Sequence, residues 1–207
     1  MRTLLRTRLR PMSADDIAQV ADIERESFPA MWPQTAYRRE LTNQIARYVV
    51  ITELRDDARR QEPQQHAGLF GALRRIVSSD APPAPEHLLG FIGIWLMVGE
   101  AHIVTVAVRQ DYRRMGIGGR LLIAAIEQAS AYDQELVTLE VRASNDAAQR
   151  MYEKYGFMRA GVRKRYYTDN NEDAVIMTTP EIASPTYRAL LGQLGDEHRA
   201  EHGDLWA

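Results

Sequence analysis

The 207-residue sequence contains no cysteine. Disulfide bonds, thiolate nucleophiles and cysteine-ligated zinc or iron–sulfur sites all require cysteine, so each of them is excluded. Any chemistry must therefore use oxygen and nitrogen groups or a bound cofactor. We predict no metal site.

Long apolar runs are also missing. The longest stretch without a charged residue, 88–99, has 12 residues, whereas a membrane-spanning helix needs about 20. The first ten residues carry four arginines around a single Leu4-Leu5 pair, so the apolar core of a secretory signal is absent. We expect a cytoplasmic protein that makes no membrane contact.

Neither sign of charge dominates the composition. There are 26 Lys and Arg residues against 28 Asp and Glu, a formal net charge of -2, so the chain lacks the basic field typical of proteins that bind nucleic acid directly. Hydrophobic residues make up 45% and charged residues 26%, as in ordinary globular proteins. The length fits one domain with appendages. We place that domain at 1–180 and a tail of uncertain order at 181–207.

Hydrophobic periodicity predicts an α/β protein. Strands are expected over 4–10, 48–54, 88–97, 101–108, 136–141, 157–167 and 174–178. Helices are expected after Ser13, over 33–41, over 118–131 and over 145–154. Strands that alternate with helices and end in a hairpin favour a mixed sheet covered by helices on both faces.

The segment 55–87 is a predicted polar insertion between two strands. It begins with charged residues and ends in a proline-rich stretch at 81–85, which favours extended backbone. Apolar residues between Leu69 and Val77 fall at helical spacing and predict one short amphipathic helix. That helix either docks on a membrane or partner or folds back on its own domain. The second interpretation is favoured because so short a helix is a marginal anchor.

A basic, glycine-rich turn connects a strand to the helix over 118–131. Free N–H groups at a helix N-terminus bind anions, glycines allow close approach to the backbone, and arginines add positive charge. We therefore predict a loop that binds a pyrophosphate. The candidate cofactor-binding residues in this turn are Arg113, Arg114, Met115, Gly116, Ile117, Gly118 and Gly119.

The exact spacing of the turn excludes two common nucleotide-binding patterns. The glycines do not complete G-x-G-x-x-G, and no G-K-[ST] follows them. Residues 113–118 instead have the pattern R-x-x-G-x-G, which resembles the acetyl-CoA loop of the GNAT N-acetyltransferase superfamily. A tight strand-to-helix turn without a ligand is the alternative.

A second motif begins at Asn145. Asn145 can cap a helix, Tyr152 lies about two helical turns further on, and Gly156 suits a left-handed helix stop. With Ala148 and Phe157 these residues match N-x-x-A-x-x-x-Y-x-x-x-G-F, which is similar to a GNAT signature. Further segments resemble the ribosomal-protein-alanine N-acetyltransferase (RimI) group: 139–142, 144–145, 163–167 and 172–174.

The resemblance implies the GNAT fold, with a mostly antiparallel sheet, and acetyl-CoA as cosubstrate. It implies an acceptor that is the N-terminal α-amino group of a protein, with a ribosomal protein as one candidate. A small-molecule amine or antibiotic acetyltransferase and a non-catalytic acyl-CoA-binding regulatory module are the alternatives.

The resemblance also implies roles for single residues. Glu140 would accept the proton of the amine, with Glu100 as a rival base, and Tyr152 would act as general acid. A structural hydrogen bond for Glu140 and a core position for Tyr152 are the alternatives. The implied cofactor contacts are the backbone N–H groups of Val106, Ala107 and Val108, for the pantetheine arm, together with Asn145 and Ala148. The implied acceptor contacts are Trp32, Arg163, Tyr166 and Tyr167.

Overall fold

The computed structural model describes residues 6–28, 35–54 and 86–202. Within these ranges the strands are β1 (Thr7–Pro11), β2 (Ala46–Glu53), β3 (Leu88–Leu96), β4 (Glu100–Val108), β5 (Leu136–Arg142), β6 (Met158–Tyr167) and β7 (Glu172–Thr178). The helices are α1 (Ile17–Ser27), the short α2 (Tyr37–Glu40), α3 (Ile117–Ala131), α4 (Asp146–Lys154) and α5 (Pro185–His202).

These strands form one sheet in the order β1-β2-β3-β4-β5-β7-β6. Strands β4 and β5 are parallel, and the other neighbouring pairs are antiparallel. The reversal from β3 to β4 uses Gly99 at a φ of 73°, a left-handed conformation that glycine adopts without strain. The prediction of a mixed, mostly antiparallel sheet is confirmed.

Helices cover both faces of the sheet. Side chains alternate between the two faces along a strand, and on β2 the buried Val49 and Ile51 join one apolar cluster while Val50 joins the other. The first cluster contains the inner face of α3, and the second contains Val20 and Ile23 of α1. The sequence predicted these buried positions from helical spacing alone.

Helix α5 lies in the stretch that the sequence assigned to a tail of uncertain order. The structure forms a regular helix there, and Tyr187 and Leu194 are buried in the same apolar cluster as α3. The Tyr187 hydroxyl donates a hydrogen bond of 2.9 Å to the carbonyl oxygen of Tyr155. The chain is therefore packed against the domain beyond residue 180, and the boundary at that residue stays a prediction.

Several sequence predictions lie outside the described residues. They include Trp32, the start of the second helix at Pro33, and the amphipathic helix between Leu69 and Val77. In the part of the chain that is described, no helix is both long and apolar enough to cross a membrane.

Candidate active site

A split between the parallel strands β4 and β5 forms the candidate site. The two strands pair only from Glu100 opposite Leu136 to Ile103 opposite Leu139, although β4 continues to Val108 and β5 to Arg142. The register between β3 and β4 shifts at Val104, so a β-bulge bends β4 where it leaves β5. The residues 104–108 therefore present a backbone edge that is not paired with β5, and we call the resulting opening the cleft.

The turn after β4 leads into the N-terminus of α3. Arg114 and Gly116 have left-handed backbone conformations, with φ of 62° and 80°, and Gly116 is the N-cap residue of α3. The first N–H to bond within the helix is that of Arg120, which donates to the Gly116 oxygen over 3.2 Å. The N–H groups of residues 117–119 precede it, so they have no partner within the helix.

The two predicted arginines of this turn have different surroundings. Arg113 donates from Nε to the Val108 oxygen over 3.1 Å and from Nη2 to Ser27 Oγ over 3.2 Å, which braces the turn against β4 and α1. Arg114 is exposed beside the N-terminus of α3. A pyrophosphate at this helix end would meet free N–H groups and added positive charge.

The two glycines at the start of α3 allow close packing. A Cβ atom on Gly119 would lie 1.9 Å from the Tyr155 hydroxyl oxygen, and one on Gly118 would lie 3.2 Å from the sulfur of Met151. Gly119 is buried, so it is needed for the contact between α3 and Tyr155. Its predicted contact with the cofactor stays a prediction.

Glu140 is the first residue of β5 beyond the pairing with β4. Its side chain is only 6% exposed. One carboxylate oxygen lies 3.0 Å from Nε2 of His102, and the other lies 3.2 Å from Nη2 of Arg163. These contacts, led by the hydrogen bond to His102, lower the pKa of Glu140 below its usual value despite the opposing effect of burial.

His102 is a functional candidate that the sequence analysis missed. Its Nδ1 atom lies 2.8 Å from the Thr138 hydroxyl oxygen, and that hydroxyl donates to Glu100. The rival base Glu100 is therefore linked to Glu140 through two intervening side chains. Glu100 and His102 are two residues apart on β4 and share a face, but the position of Glu140 beside them depends on the register with β5.

Tyr152 lies on α4, buried against the ring of Phe157 at a centroid distance of 5.8 Å. Burial raises the pKa of the Tyr152 phenol well above its usual value, so the hydroxyl keeps its proton at neutral pH. Asn145 caps α4 as predicted, because its side-chain oxygen accepts from the Ala148 N–H over 3.1 Å. The implied cofactor contacts of Asn145 and Ala148 stay predictions.

Strand β6 supplies the wall of the cleft beside Glu140. Arg163 lies over the ring of Tyr166 at 5.6 Å, and Tyr166 meets Tyr167 edge-on at 5.2 Å. Tyr166 is 40% exposed, whereas Tyr167 is only 8% exposed. The structure therefore places Arg163 and Tyr166 near Glu140, the proposed base. Tyr167 is buried next to Tyr166.

Comparison with known families agrees with this geometry. Residues 17–157 match the acetyltransferase (GNAT) family model. The chain belongs to the GNAT family. GNAT acetyltransferases use acetyl-CoA, so acetyl-CoA is the acetyl donor implied for this cleft.

The GNAT relatives include N-terminal acetyltransferases. A Bacillus subtilis (strain 168) protein assigned as a ribosomal protein bS18-alanine N-acetyltransferase is 34% identical over 170 residues, which cover 82% of this chain and 92% of that protein. An N-alpha-acetyltransferase of Saccharolobus solfataricus is 31% identical over 83% of this chain and 92% of its own length. The crystal structure of the ribosomal-protein-S18-alanine N-acetyltransferase from Escherichia coli has a TM-score of 0.63 and 25% identity, and covers 86% of this chain and 97% of that one.

Acidic residues in and beside the turn between β6 and β7 of this GNAT domain form ion pairs with an arginine of β5. Arg142 contacts Asp169 over 2.9 Å and Glu172 over 3.1 Å, and its guanidinium lies 4.0 Å from the centre of the Tyr167 ring. Hydrogen bonds lower the pKa of Glu172 to about 2. The largest effect comes from Ser144, and Asn170 and Arg142 add smaller ones. The acidic residues of the turn therefore hold Arg142 in place, and Arg142 packs against the ring of Tyr167.

A partly open cavity of about 260 Å³ lies between α3 and α5, outside the GNAT cleft. Its lining residues belong to these two helices, and none is a predicted site residue. The chemistry of its side chains identifies the cleft as the candidate site. Among the residues that the structure describes, no group of three or more His, Asp or Glu side chains is arranged to hold a metal ion.

Proposed function

We propose that this GNAT enzyme transfers the acetyl group of acetyl-CoA directly to the N-terminal α-amino group of another protein. The observation that carries the proposal is the position of Glu140, a buried carboxylate held by His102 and Arg163 beside the cleft. The names of the relatives from B. subtilis, S. solfataricus and E. coli support the same acceptor class. No thiol is present to carry an acyl group, which favours direct transfer.

The residues around the cleft fit acetyl-CoA. The pyrophosphate is assigned to the N–H groups at the start of α3, with Arg113 bracing the turn and Arg114 adding charge. The pantetheine arm is assigned to the unpaired backbone edge over Val106–Val108, whose N–H groups can also polarise the thioester carbonyl. Met115, Gly116, Asn145 and Ala148 complete the proposed contact set.

The chemistry requires a modest base and one acid. An α-amino group has a pKa near 8, so about a tenth is already neutral at pH 7. The nitrogen loses two protons as it becomes an amide, and the CoA sulfur gains one. Glu140 is assigned to accept a proton from the amine, directly or through water, and Tyr152 to protonate the sulfur.

The acceptor is assigned to the wall formed by β6. Arg163, Tyr166 and Tyr167 would flank the peptide N-terminus, with Trp32 as a further predicted contact. An extended peptide held largely by main-chain hydrogen bonds needs few specific side chains. A ribosomal protein is a candidate acceptor because relatives are named for one. The names of these relatives do not favour a small amine or a non-catalytic module.

Peptide acetylation tests the proposal. The purified protein would be incubated with acetyl-CoA and peptides that begin with Ala, Ser or Met, with mass spectrometry and thiol release as readouts. We expect one acetyl group on the α-nitrogen and one equivalent of free CoA. Matched peptides with a blocked N-terminus and an internal lysine should remain unmodified. Acetylation of spermidine-like amines or of lysine, without α-acetylation, would contradict the proposal.

A further inference from the structure

The partly open cavity between α3 and α5 carries an excess of basic side chains. Of the described residues that line it, three are arginines: Arg120 on α3, and Arg188 and Arg199 on α5. Helix α5 adds the imidazole of His198, and the acidic member of the lining is Glu127. A space of about 260 Å³ is therefore bordered by more positive than negative groups.

Arg120 is the buried arginine of this lining. It is only 3% exposed, and its Nη1 atom donates a hydrogen bond to the hydroxyl oxygen of Thr7 on β1. Removing a guanidinium from water is costly, and burial accordingly lowers the pKa of Arg120 to about 10. A negative charge in the cavity would offset part of that cost.

The other two arginines lie at the mouth of the cavity, where both residues are exposed. Arg199 also forms an ion pair with Asp196, so part of its charge is already balanced. Gly192 lies one helical turn after Arg188 on the same face, and a Cβ atom there would meet nothing within 4 Å. The wall formed by α5 therefore leaves room for a ligand beside Arg188.

A phosphate group matches this charge and this space. Guanidinium groups bind phosphate through paired N–H donors in a planar fork. The lining has a net positive charge of between one and two, since Glu127 and part of Asp196 oppose the three arginines. A phosphate carries about 1.5 to 2 negative charges at pH 7 and presents at least three acceptor oxygens, so it can contact arginines of both helices at once. A carboxylate brings a single charge and two oxygens.

We propose that the cavity between α3 and α5 is a binding site for a phosphate group, with Arg120 and Arg188 as its charged donors. The group is either free inorganic phosphate or the phosphate of a small metabolite. The volume of about 260 Å³, against about 30 Å³ for one water in the liquid, has room for a small organic group on the phosphate. The site lies outside the cleft, so the inference is independent of the proposed acetyl transfer.

Amide NMR tests the site without any acceptor peptide. Inorganic phosphate would be titrated into the protein at millimolar concentrations, in exchange for sodium chloride, so that the ionic strength stays constant. We expect saturable changes at the amides of Gly192 and Gly195, which line the cavity. The N-terminus of α3 is another place for phosphate, so Gly116 and Gly118 would be followed as well, with and without saturating CoA. Saturable changes at Gly116 and Gly118 alone, or none at any of the four, would overturn the proposal.

Substitutions of the two donors then test their roles. Arg188→Gln and Arg120→Met should each weaken phosphate binding by about 10-fold or more, the usual cost of losing a charge-assisted hydrogen bond. Arg150→Gln is the matched control, because Arg150 is an exposed arginine on α4, and it should bind phosphate as wild type does. Unchanged affinity in Arg188→Gln would overturn the proposal whether or not Arg120→Met folds.

A comparison of anions identifies the source of the phosphate. Tighter binding of glycerol 3-phosphate than of inorganic phosphate at the Gly192 and Gly195 amides would indicate a metabolite, and the reverse order would indicate the free ion. Acetate that binds there as tightly as both phosphates at the same ionic strength would overturn a phosphate site. If the protein acetylates no peptide, the proposed function fails while these titrations still decide the cavity.

Discussion

Arg163 on β6 reaches across β7 to place its guanidinium 3.2 Å from the carboxylate of Glu140 on β5. The same carboxylate contacts His102 on its other oxygen. Both oxygens of Glu140 are therefore held by nitrogen groups from two different strands, one on each side of β5. Such a carboxylate is fixed in direction, which is a requirement for accepting a proton from a positioned amine.

Glu140→Gln should lower kcat/KM for peptide acetylation by about 100-fold, because an amide cannot accept the proton. The pH dependence should change in a defined direction. The lowered pKa of Glu140 keeps it ionised well into the acid range, so acid loss of wild-type activity should begin below the usual carboxyl range.

Initial rates from pH 3 to 9 would measure this effect, with acetyl-CoA affinity measured separately by calorimetry. Glu181→Gln is the matched control because Glu181 is exposed and outside the cleft. If Glu140→Gln acetylated peptide at the wild-type rate at neutral pH, the base would have to be another residue.

Tyr152→Phe should reduce kcat by about 100-fold with little change in acetyl-CoA affinity, since the phenol is assigned to the departing sulfur. Burial raises the pKa of Tyr152, so its deprotonation should cause no alkaline loss of rate below about pH 9. Stopped-flow detection of free CoA measures the step. Tyr132→Phe is the control, because Tyr132 is exposed. Equal rates in the two variants would show that Tyr152 is not the acid.

Gly119→Ala should destabilise the fold by about 3 kcal/mol, because its methyl group would overlap the Tyr155 hydroxyl. Gly192→Ala is the matched substitution in α5, where a Cβ atom would meet nothing within 4 Å. It should stabilise the helix by up to about 1 kcal/mol. Urea unfolding of both variants tests the contrast, and a Gly119→Ala midpoint equal to that of wild type would refute the packing argument.

Glu172→Gln should flatten the dependence of stability on pH in the acid range. The folded protein lowers the pKa of Glu172 to about 2, against an unfolded value near 4.3. The carboxylate therefore contributes stability that is present above about pH 4.3 and lost as pH falls towards 2. Thermal melts at several pH values give the measurement. An acid dependence identical to wild type would show that Glu172 is not the responsible group.

Arg114→Ala should raise the KM for acetyl-CoA several-fold and leave the peptide KM unchanged. The effect should shrink at high salt, because exposed charges are screened. The helix N–H groups remain, so binding should weaken and not vanish. Arg150→Ala, another exposed arginine, is the control. A KM that does not change at low salt would exclude Arg114 from the pyrophosphate site.

Local features of the fold were predictable from the sequence. The cap at Asn145 and the stop at Gly156, which has a φ of 83°, follow from short-range backbone chemistry. The buried face of α3 follows from helical spacing. These features depend on residues a few positions apart, so a single sequence contains the information for them.

Long-range features were not predictable in the same way. His102 and Thr138 meet because of the register between β4 and β5, which pairs residues 36 positions apart. Helix α5 was missed because its composition is only weakly apolar, and its contacts with Tyr155 and α3 become visible only in the packed structure. Sequence motifs therefore located the glycine-rich turn before α3 and the proposed base, but not the side chains that hold that base.

The cleft between β4 and β5 is formed by the course of the backbone, because the β-bulge at Val104 bends β4 away from β5. Among the residues that the structure describes, the cleft is therefore formed by the strands themselves. A thioester bound there would meet main-chain groups that are already in place, so little of its binding free energy would be spent on ordering these strands.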